Sequence, residues 1–521
     1  MGIIYLGKRG NAMICKINSI GLIGIEGYTI EIEVDIQKGL PNFNMVGLPD
    51  AVVKESKERV RTAIKNSGFE FPVDKITVNF APADIKKEGT HMDLAIAIGI
   101  LVCSGNIEHK SVMGSIFIGE LSLNGEIREV RGILPMIIEA QRLGYNSIFI
   151  PHENLGEAAF VKDCDVYTVS TLGELVDFFA GVAPLEKAVS SARQEEPPLQ
   201  SDVDFSEIKG QRAARRAAEI AASGFHNLLM IGPPGGGKTM LAQRLTTILP
   251  QLTFDQGLDT TKIYSIAGML KNNNRIIMAP PFRSPHHSSS TASIIGGGSV
   301  PMPGEVSLAH NGVLFLDELP EFRRDILEAL RQPLEDGEVS ISRVKGRYKY
   351  PSRFLMVASM NPCPCGYYGY QLKQCRCSEN QIRAYLNRVS GPLLDRIDIH
   401  INIDPVKYEE INSDQTEEGS EEIKKRVERV KAVQLERFKN EGILFNSQMK
   451  QRHIKRYCPM TIKAEALIES AFKSMTLSTR AYGKILKVAR TIADMDGEEK
   501  IGEKQVAEAI QYRVLDRKYW A

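Results

Sequence analysis

Residues 227–249 read NLLMIGPPGGGKTMLAQRLTTIL. The apolar run Asn227 to Ile231 enters a turn built from glycine and proline, and a helical pattern then continues through Leu249. The turn itself, Gly232-Pro233-Pro234-Gly235-Gly236-Gly237-Lys238-Thr239, fits G-x-x-x-x-G-K-[ST]. Its spacing has a chemical reason. Glycines let backbone N–H groups close around phosphate oxygens, and the helix start that follows favours an anion. Lys238 reaches the β and γ phosphates of a nucleotide, and the Thr239 hydroxyl suits Mg²⁺. Strand, loop and helix in that order predict a phosphate-binding turn at the edge of a parallel, doubly wound α/β sheet.

Further strands are expected downstream at Val313–Leu316 and Phe354–Ser359, separated by helical or loop segments. The first ends in Asp317-Glu318. Alone, an acidic pair after a strand reads as a turn or a helix cap. After a matched phosphate loop it is expected to be functional, with Asp317 holding the Mg²⁺ water shell and Glu318 acting as general base on the attacking water. The two motifs together imply nucleotide hydrolysis rather than binding alone.

Outward from this core the chain divides. Its 521 residues exceed a single ordinary domain. From Met13 short strand-like runs alternate with helical ones, as at Tyr28–Val34, Asp50–Ser67 and Ile76–Phe80, which predicts an α/β or α+β domain over 13–182. The polar, proline-containing stretch SSARQEEPPLQSD, 190–202, reads as part of a linker spanning 183–203. The phosphate-loop domain is expected over 204–405, and a charged, then helical tail over 406–521 predicts an all-α closing domain. Met1 to Ala12 lack periodicity and are left out of the fold reading. Lys plus Arg number 65 against 64 for Asp plus Glu, so no global basic surface marks a nucleic-acid partner, and any such contact must be local. The longest apolar run, near Leu94–Cys103, falls well short of the roughly twenty residues of a membrane span. With no signal-peptide pattern and too few cysteines for a disulfide scaffold, a cytoplasmic protein with no membrane partner is expected.

Two further clusters carry chemistry. EVSISRVKGRYKY, 338–350, alternates around Lys345-Gly346 and predicts a β-hairpin. Arg343, Lys345, Arg347 and Lys349, interleaved with Tyr348 and Tyr350, suit phosphate contact and base stacking on single-stranded nucleic acid; the competing reading is a solvated basic hairpin. Cys363-x-Cys365 and Cys375-x-Cys377 supply four thiolates fit for structural Zn²⁺, against a reading as ordinary reduced thiols.

FRSPHHSSSTASIIGGGSVPMPGEVSLAHNGVLFLDELPEF from Phe282 and SGPLLDRIDIH from Ser390 resemble the ComM/YifB subfamily of magnesium-chelatase-like AAA+ ATPases, and the resemblance runs from Met13 to near the end. It implies a multidomain α/β chain: a Lon-protease-domain-like α+β N-terminal domain, a P-loop AAA+ core with a parallel αβα sheet, and an all-α C-terminal lid. A homohexameric ring using ATP and Mg²⁺ is expected, with DNA as the substrate of a helicase or branch-migration motor and a pore-facing basic hairpin. A second possibility is a chelatase-type remodelling chaperone. By position, Asn361 matches sensor 1, Arg396 in LLDRID an arginine finger, and Arg480 in LSTRAYGKIL sensor 2; a surface ion pair is the alternative for either arginine. Ile208, Gly210 and Gln211 in DFSEIKGQ resemble the segment beside the adenine, with plain packing as the alternative. The Lon-like resemblance departs where a Ser-Lys dyad belongs. His91 stands at the serine position and Leu134 at the lysine position, so peptidase chemistry by that route is not expected.

Overall fold

The computed structural model describes residues 13–161, 164–188, 203–270, 276–298, 300–343, 346–370, 373–406, 410, 417–475 and 478–520. The linker core at 190–202, the opening residues 1–12 and Lys345 lie outside them. Contact density separates two units, one of residues 1–195 with 261–276 and 340–349, the other of 196–260, 277–339 and 350–521.

The first unit is built on an eight-stranded sheet. Its strands are β1 (Met13–Ile23), β2 (Glu26–Gln37), β3 (Asn42–Val46), β4 (Lys75–Ala81), β5 (Ser115–Phe117), β6 (Ser147–Pro151), β7 (Asp165–Val169) and β8 (Glu186–Lys187). They lie in the order β8-β7-β6-β5-β1-β2-β4-β3. β1 and β2 form a long hairpin, in register from Met13 opposite Ile36 to Ile23 opposite Glu26, that turns at Gly24 with φ 66°. In β4 the alternation is plain: Ile76, Val78 and Phe80 are buried while their neighbours face outward. Helix α1 (Ala51–Asn66) starts where the Asp50 carboxylate accepts from Val53 N at 2.8 Å. Helix α2 (Asp93–Cys103) accounts for the apolar run read from sequence: its residues 93–102 are all buried, as an all-round apolar helix requires. Asp93 enters that core only because Arg59 Nε, at 2.8 Å, and Ser56 satisfy it. Helix α3 (Ile133–Arg142) contributes the fully buried Leu134.

The second unit centres on a five-stranded sheet whose neighbouring strands all pair parallel. Its strands are β9 (Leu228–Ile231), β10 (Phe282–Arg283), β11 (Val313–Leu316), β14 (Leu355–Met360) and β15 (Ile399–Asn402); the hairpin strands β12 (Glu338–Arg343) and β13 (Gly346–Pro351) fall between them in the chain. The order is β10-β11-β14-β9-β15, so β9 lies between the last two sheet strands of the chain. Residues of β9, β11 and β14 are buried throughout, the signature of strands covered on both faces. Helices α4 (Arg212–Gly224) and α5 (Lys238–Ile248) flank β9 in sequence. From 403 onward the described residues form helices and connecting turns, including α6 (Ser420–Arg437) and α7 (Thr479–Asp496), with one isolated parallel bridge between Met460 and Ile501. α7 is capped by Ser478, which accepts from Ala481 N, and stops at Gly497 with φ 75°. These helices share one apolar core with the sheet: Ile220, Leu228 and Leu245 pack in the same cluster as Val427, Ile485 and Ile492. Arg437 clamps Asp494 through two bonds of 2.6 and 2.5 Å, and Gln434 Nε2 donates to Ser223 O at 2.8 Å, tying α6 to α4. Among the described residues no helix is long and apolar enough to cross a membrane.

Candidate nucleotide site

In an open parallel sheet, ligands bind beyond the carboxyl ends of the strands, where the strand order reverses. β9 is such a strand, and its C-terminal end delivers the loop 232–239. Gly235 and Gly237 take φ 76° and 81°, backbone space that side-chain-bearing residues rarely enter. Gly232 has no room for a Cβ, which would stand 2.5 Å from Ile403 O. Gly237 then hands the chain to α5, whose first residue is Lys238.

Lys238 Nζ donates to Gly232 O (2.7 Å), Pro233 O (2.9 Å) and Asn361 Oδ1 (3.1 Å). The ammonium is thereby pinned at the mouth of the loop. Burial pushes its pKa below the ordinary lysine range, while Asp317 and Glu318 pull the other way. Thr239, in the first turn of α5, donates through Oγ1 to Asp317 Oδ2 at 2.9 Å. Asp317 follows the end of β11, and its other oxygen accepts from Ser359 Oγ and, at 3.1 Å, from Glu318 N. A hydroxyl beside a half-buried carboxylate is an oxygen donor pair that suits Mg²⁺.

Glu318 is exposed and sits at φ 53°, ψ 50°. A left-handed conformation is uncommon outside glycine, Asn and Asp, and such residues concentrate at functional sites. Its N–H also bonds Ser359 Oγ at 3.3 Å, and His287 Nδ1 lies 3.7 Å from its carboxylate. Ser359 escaped the sequence reading. A signal existed, since Ser359 and Asn361 are two apart at the end of an extended run and therefore share a face.

The segment before α4 reaches the same loop. Gln211, itself at φ 49°, donates through Nε2 to Gly236 O (2.8 Å) and Asp404 O (3.3 Å). Gly210 N bonds Glu417 Oε1 at 3.2 Å. Ile208 is fully buried, and its carbonyl accepts from Arg215 Nη1 at 2.9 Å. Gln211 thus touches the phosphate loop, whereas Ile208 belongs to the core.

Arg396 and Arg480 stand elsewhere. Both line one cleft of about 1690 Å³, together with Asp395 and Glu335. Arg396 pairs with Glu335 and donates to Pro392 O at 2.7 Å, and the exposed Arg480 lies 3.7 Å from Asp395. Beside them Lys484 pairs with buried Asp398 at 2.8 Å, and burial lowers the lysine pKa to about 8. The fold groups these two arginines with each other, not with Lys238.

The four cysteines come together. Every Sγ of Cys363, Cys365, Cys375 and Cys377 lies within 4.8 Å of the others. The basic hairpin exists as β12 and β13, with Arg347 Nη2 bonding Ser340 Oγ at 3.2 Å. The tyrosine that ends it, Tyr350, is buried and donates to Pro301 O at 2.7 Å, so it is a packing residue. Tyr348 and Lys349 are among the described residues; the Arg343 side chain is not. His91 and Leu134 are both interior: the His91 ring bonds the Ile20 carbonyl, and Leu134 is fully buried.

Residues 204–411 match the magnesium chelatase family, subunit ChlI; residues 32–154 match a second subunit ChlI description, and 417–513 the ChlI C-terminal part. Competence protein ComM of Haemophilus influenzae is 42% identical over 498 residues, 95% of this chain and 96% of that protein. The uncharacterized protein YifB of Salmonella typhimurium is 41% identical over 497 residues, again 95% and 96%. Lon protease 2 of Bacillus subtilis is 27% identical over 191 residues, 33% of this chain and 34% of that protein. With that identity sustained over nearly the full length of both chains, the protein belongs to the ComM/YifB family of magnesium-chelatase-like AAA+ proteins.

Proposed function

We propose that this chain is an ATPase of the cytoplasm that assembles into a hexameric ring and couples ATP hydrolysis to movement along DNA, as a translocase or branch-migration motor. The observation that carries the ATPase half is the junction of Thr239, Asp317 and Ser359 beside Lys238 and Asn361. In this reading Gly232, Pro233, Pro234, Gly235, Gly236 and Gly237 wrap the phosphates, and Lys238 leaves its carbonyl partners for the β and γ phosphate oxygens. Thr239 and Asp317 hold Mg²⁺, which when bound neutralises charge developing on the phosphates. Glu318 accepts the proton of the attacking water, and Asn361 orients that water by hydrogen bonding. Arg396, as the arginine finger, serves the site of a neighbouring subunit; Arg480 supplies the sensor 2 contact. Gln211 joins the base-binding segment to the loop.

The DNA half rests on Arg343, Lys345, Arg347, Tyr348 and Lys349 in the hairpin and on the likeness to a competence protein over 95% of the chain. Residues 13–182 act in this scheme as a catalytically silent Lon-like domain, 204–405 as the motor core and 406–521 as the lid. A second reading, a chelatase-type chaperone that remodels a protein partner, is favoured by the ChlI match over 204–411. The rate of phosphate release with and without single-stranded and branched DNA separates them. A motor is stimulated by DNA and loses the stimulation in Lys345→Ala/Arg347→Ala. A rate indifferent to every DNA tested would sink the motor reading and leave the chaperone.

A further inference from the structure

We propose that Cys363, Cys365, Cys375 and Cys377 bind one Zn²⁺ as a structural four-thiolate centre that braces the phosphate loop through the contact of Gly366 with Pro234. The centre stands on its own geometry; its effect on nucleotide binding rests on the ATPase reading above. Three sulfur separations, Cys363 to Cys365 (3.4 Å), Cys365 to Cys375 (3.6 Å) and Cys363 to Cys375 (3.7 Å), approach the edge of a tetrahedron with metal–sulfur bonds of about 2.3 Å, an edge of about 3.8 Å. All are far beyond the roughly 2.05 Å of a disulfide. Cys363 is fully buried, a site where unligated thiolate would be costly.

The surroundings are those of a metal knuckle. The backbone amides of Tyr367 and Arg376 bond the Cys365 sulfur, and the Cys377 amide bonds the Cys375 sulfur. On binding, the four thiols release their protons, and four thiolates around Zn²⁺ carry two net negative charges. Arg376 lies between two of the ligands, and Lys373, in the same loop, sits 4.5 Å over the Tyr367 ring, so two cations of the loop offset that charge. Four protein ligands leave no open position, so the metal is structural rather than catalytic.

The centre is joined to the nucleotide site at three places. Cys363 follows Asn361 by two residues, so the anchored sulfur limits how the Asn361 side chain faces Lys238. Gly366, at φ 84°, is pressed so closely on the loop that a Cβ there would stand 2.5 Å from Pro234 Cδ. Tyr370 Oη donates to Ile403 O at 3.2 Å, the same carbonyl against which Gly232 is packed. Loss of the metal would release all three supports together.

The test uses the full-length chain from zinc-supplemented cells. Wild type is expected to carry about one zinc per chain and, after exchange with Co²⁺, to show thiolate-to-cobalt charge transfer and tetrahedral d–d absorption. Cys375→Ser/Cys377→Ser should lose the metal and bind a fluorescent ADP analogue at least ~10-fold more weakly, while Lys238→Ala keeps its zinc. Stripping zinc from folded wild type with a chelator should weaken the nucleotide equally, and re-adding zinc should restore it. Wild type with less than ~0.2 zinc per chain and no cobalt spectrum overturns the centre. Zinc that can be removed with nucleotide affinity unchanged within about twofold overturns the brace. Zinc-loaded wild type that binds no nucleotide refutes the ATPase reading and leaves the metal centre standing.

Discussion

Thr239 Oγ1 donates to Asp317 Oδ2 at 2.9 Å, which links the first turn of α5 to the end of β11 across the intervening strand β14. The same carboxylate is held from behind by Ser359, so its free direction is toward the phosphate loop. Asp317→Asn keeps the shape but replaces one anionic oxygen by an amide. Phosphate release measured over a range of Mg²⁺ concentrations should fall ~1000-fold, the several kcal/mol that metal charge stabilisation contributes. Thr239→Ser, which keeps the hydroxyl, should stay near wild type. A rate for Asp317→Asn within about threefold of wild type would remove Asp317 from the metal site.

Glu318 bears a different burden from its neighbour. It is exposed, left-handed in backbone and bonded through its N–H to Ser359, so its carboxylate is aimed by the turn, with His287 Nδ1 3.7 Å away. Glu318→Gln should bind ATP with unchanged affinity yet turn it over ~100-fold or more slowly, the loss expected for a general base. Filter binding of labelled ATP beside single-turnover hydrolysis makes the distinction. Unchanged turnover would assign the base elsewhere.

Arg396 gives a prediction about assembly. Within its own chain it is engaged with Glu335 and Pro392, in a cleft with Arg480. An arginine finger acts on a neighbour's phosphates and contributes roughly 10³ or more to rate. Arg396→Ala and Lys238→Ala should therefore each be inactive alone. Mixed, they should recover part of the activity, because a Lys238→Ala subunit still presents Arg396 to an intact loop next door. No recovery, with co-assembly shown by crosslinking, would refute action across the subunit boundary.

How much of this was legible from sequence follows from the range of the interactions involved. Gly232 to Thr239 could be read because strand, turn and helix are consecutive, and each residue's duty is local. The same holds for the hairpin around Gly346, whereas the apolar run near Leu94–Cys103 excluded a membrane span without declaring helix α2, because a short all-apolar run carries no periodicity to separate helix from strand. β10 and β15 were missed: Phe282–Arg283 is two residues long, and Ile399–Asn402 alternates with a histidine and an asparagine. Their strand character comes from pairing with β11 and β9, which no short window contains. Ser359 was missed for the same reason, since its partner Asp317 is 42 residues away. The separation of Arg396 and Arg480 from Lys238 is a three-dimensional fact, and motif order carries no trace of it.

His91 supplies the last prediction, one of pH. Its ring bonds the Ile20 carbonyl, its own carbonyl accepts from Gly119 N at 2.9 Å, and burial pushes its pKa down to about 4. In the unfolded chain the value is about 6.5. Between those values the unfolded state binds a proton that the folded state refuses, so folding stability is greatest above about pH 6.5 and drains away as pH falls toward 4. The shift corresponds to about 3 kcal/mol once complete. His310 in the second unit is lowered to about 3 by burial and acts in the same direction, so a global melt would blend the two. Hydrogen exchange of β1 and α2 amides resolves the first unit by itself. Wild type and His91→Gln should differ in protection above about pH 6.5 by a constant amount, and that difference should change steadily in favour of the variant down to about pH 4, because glutamine has no proton to take up. A difference that stays flat over the whole range would show that His91 is protonated in the folded chain as readily as in the unfolded one.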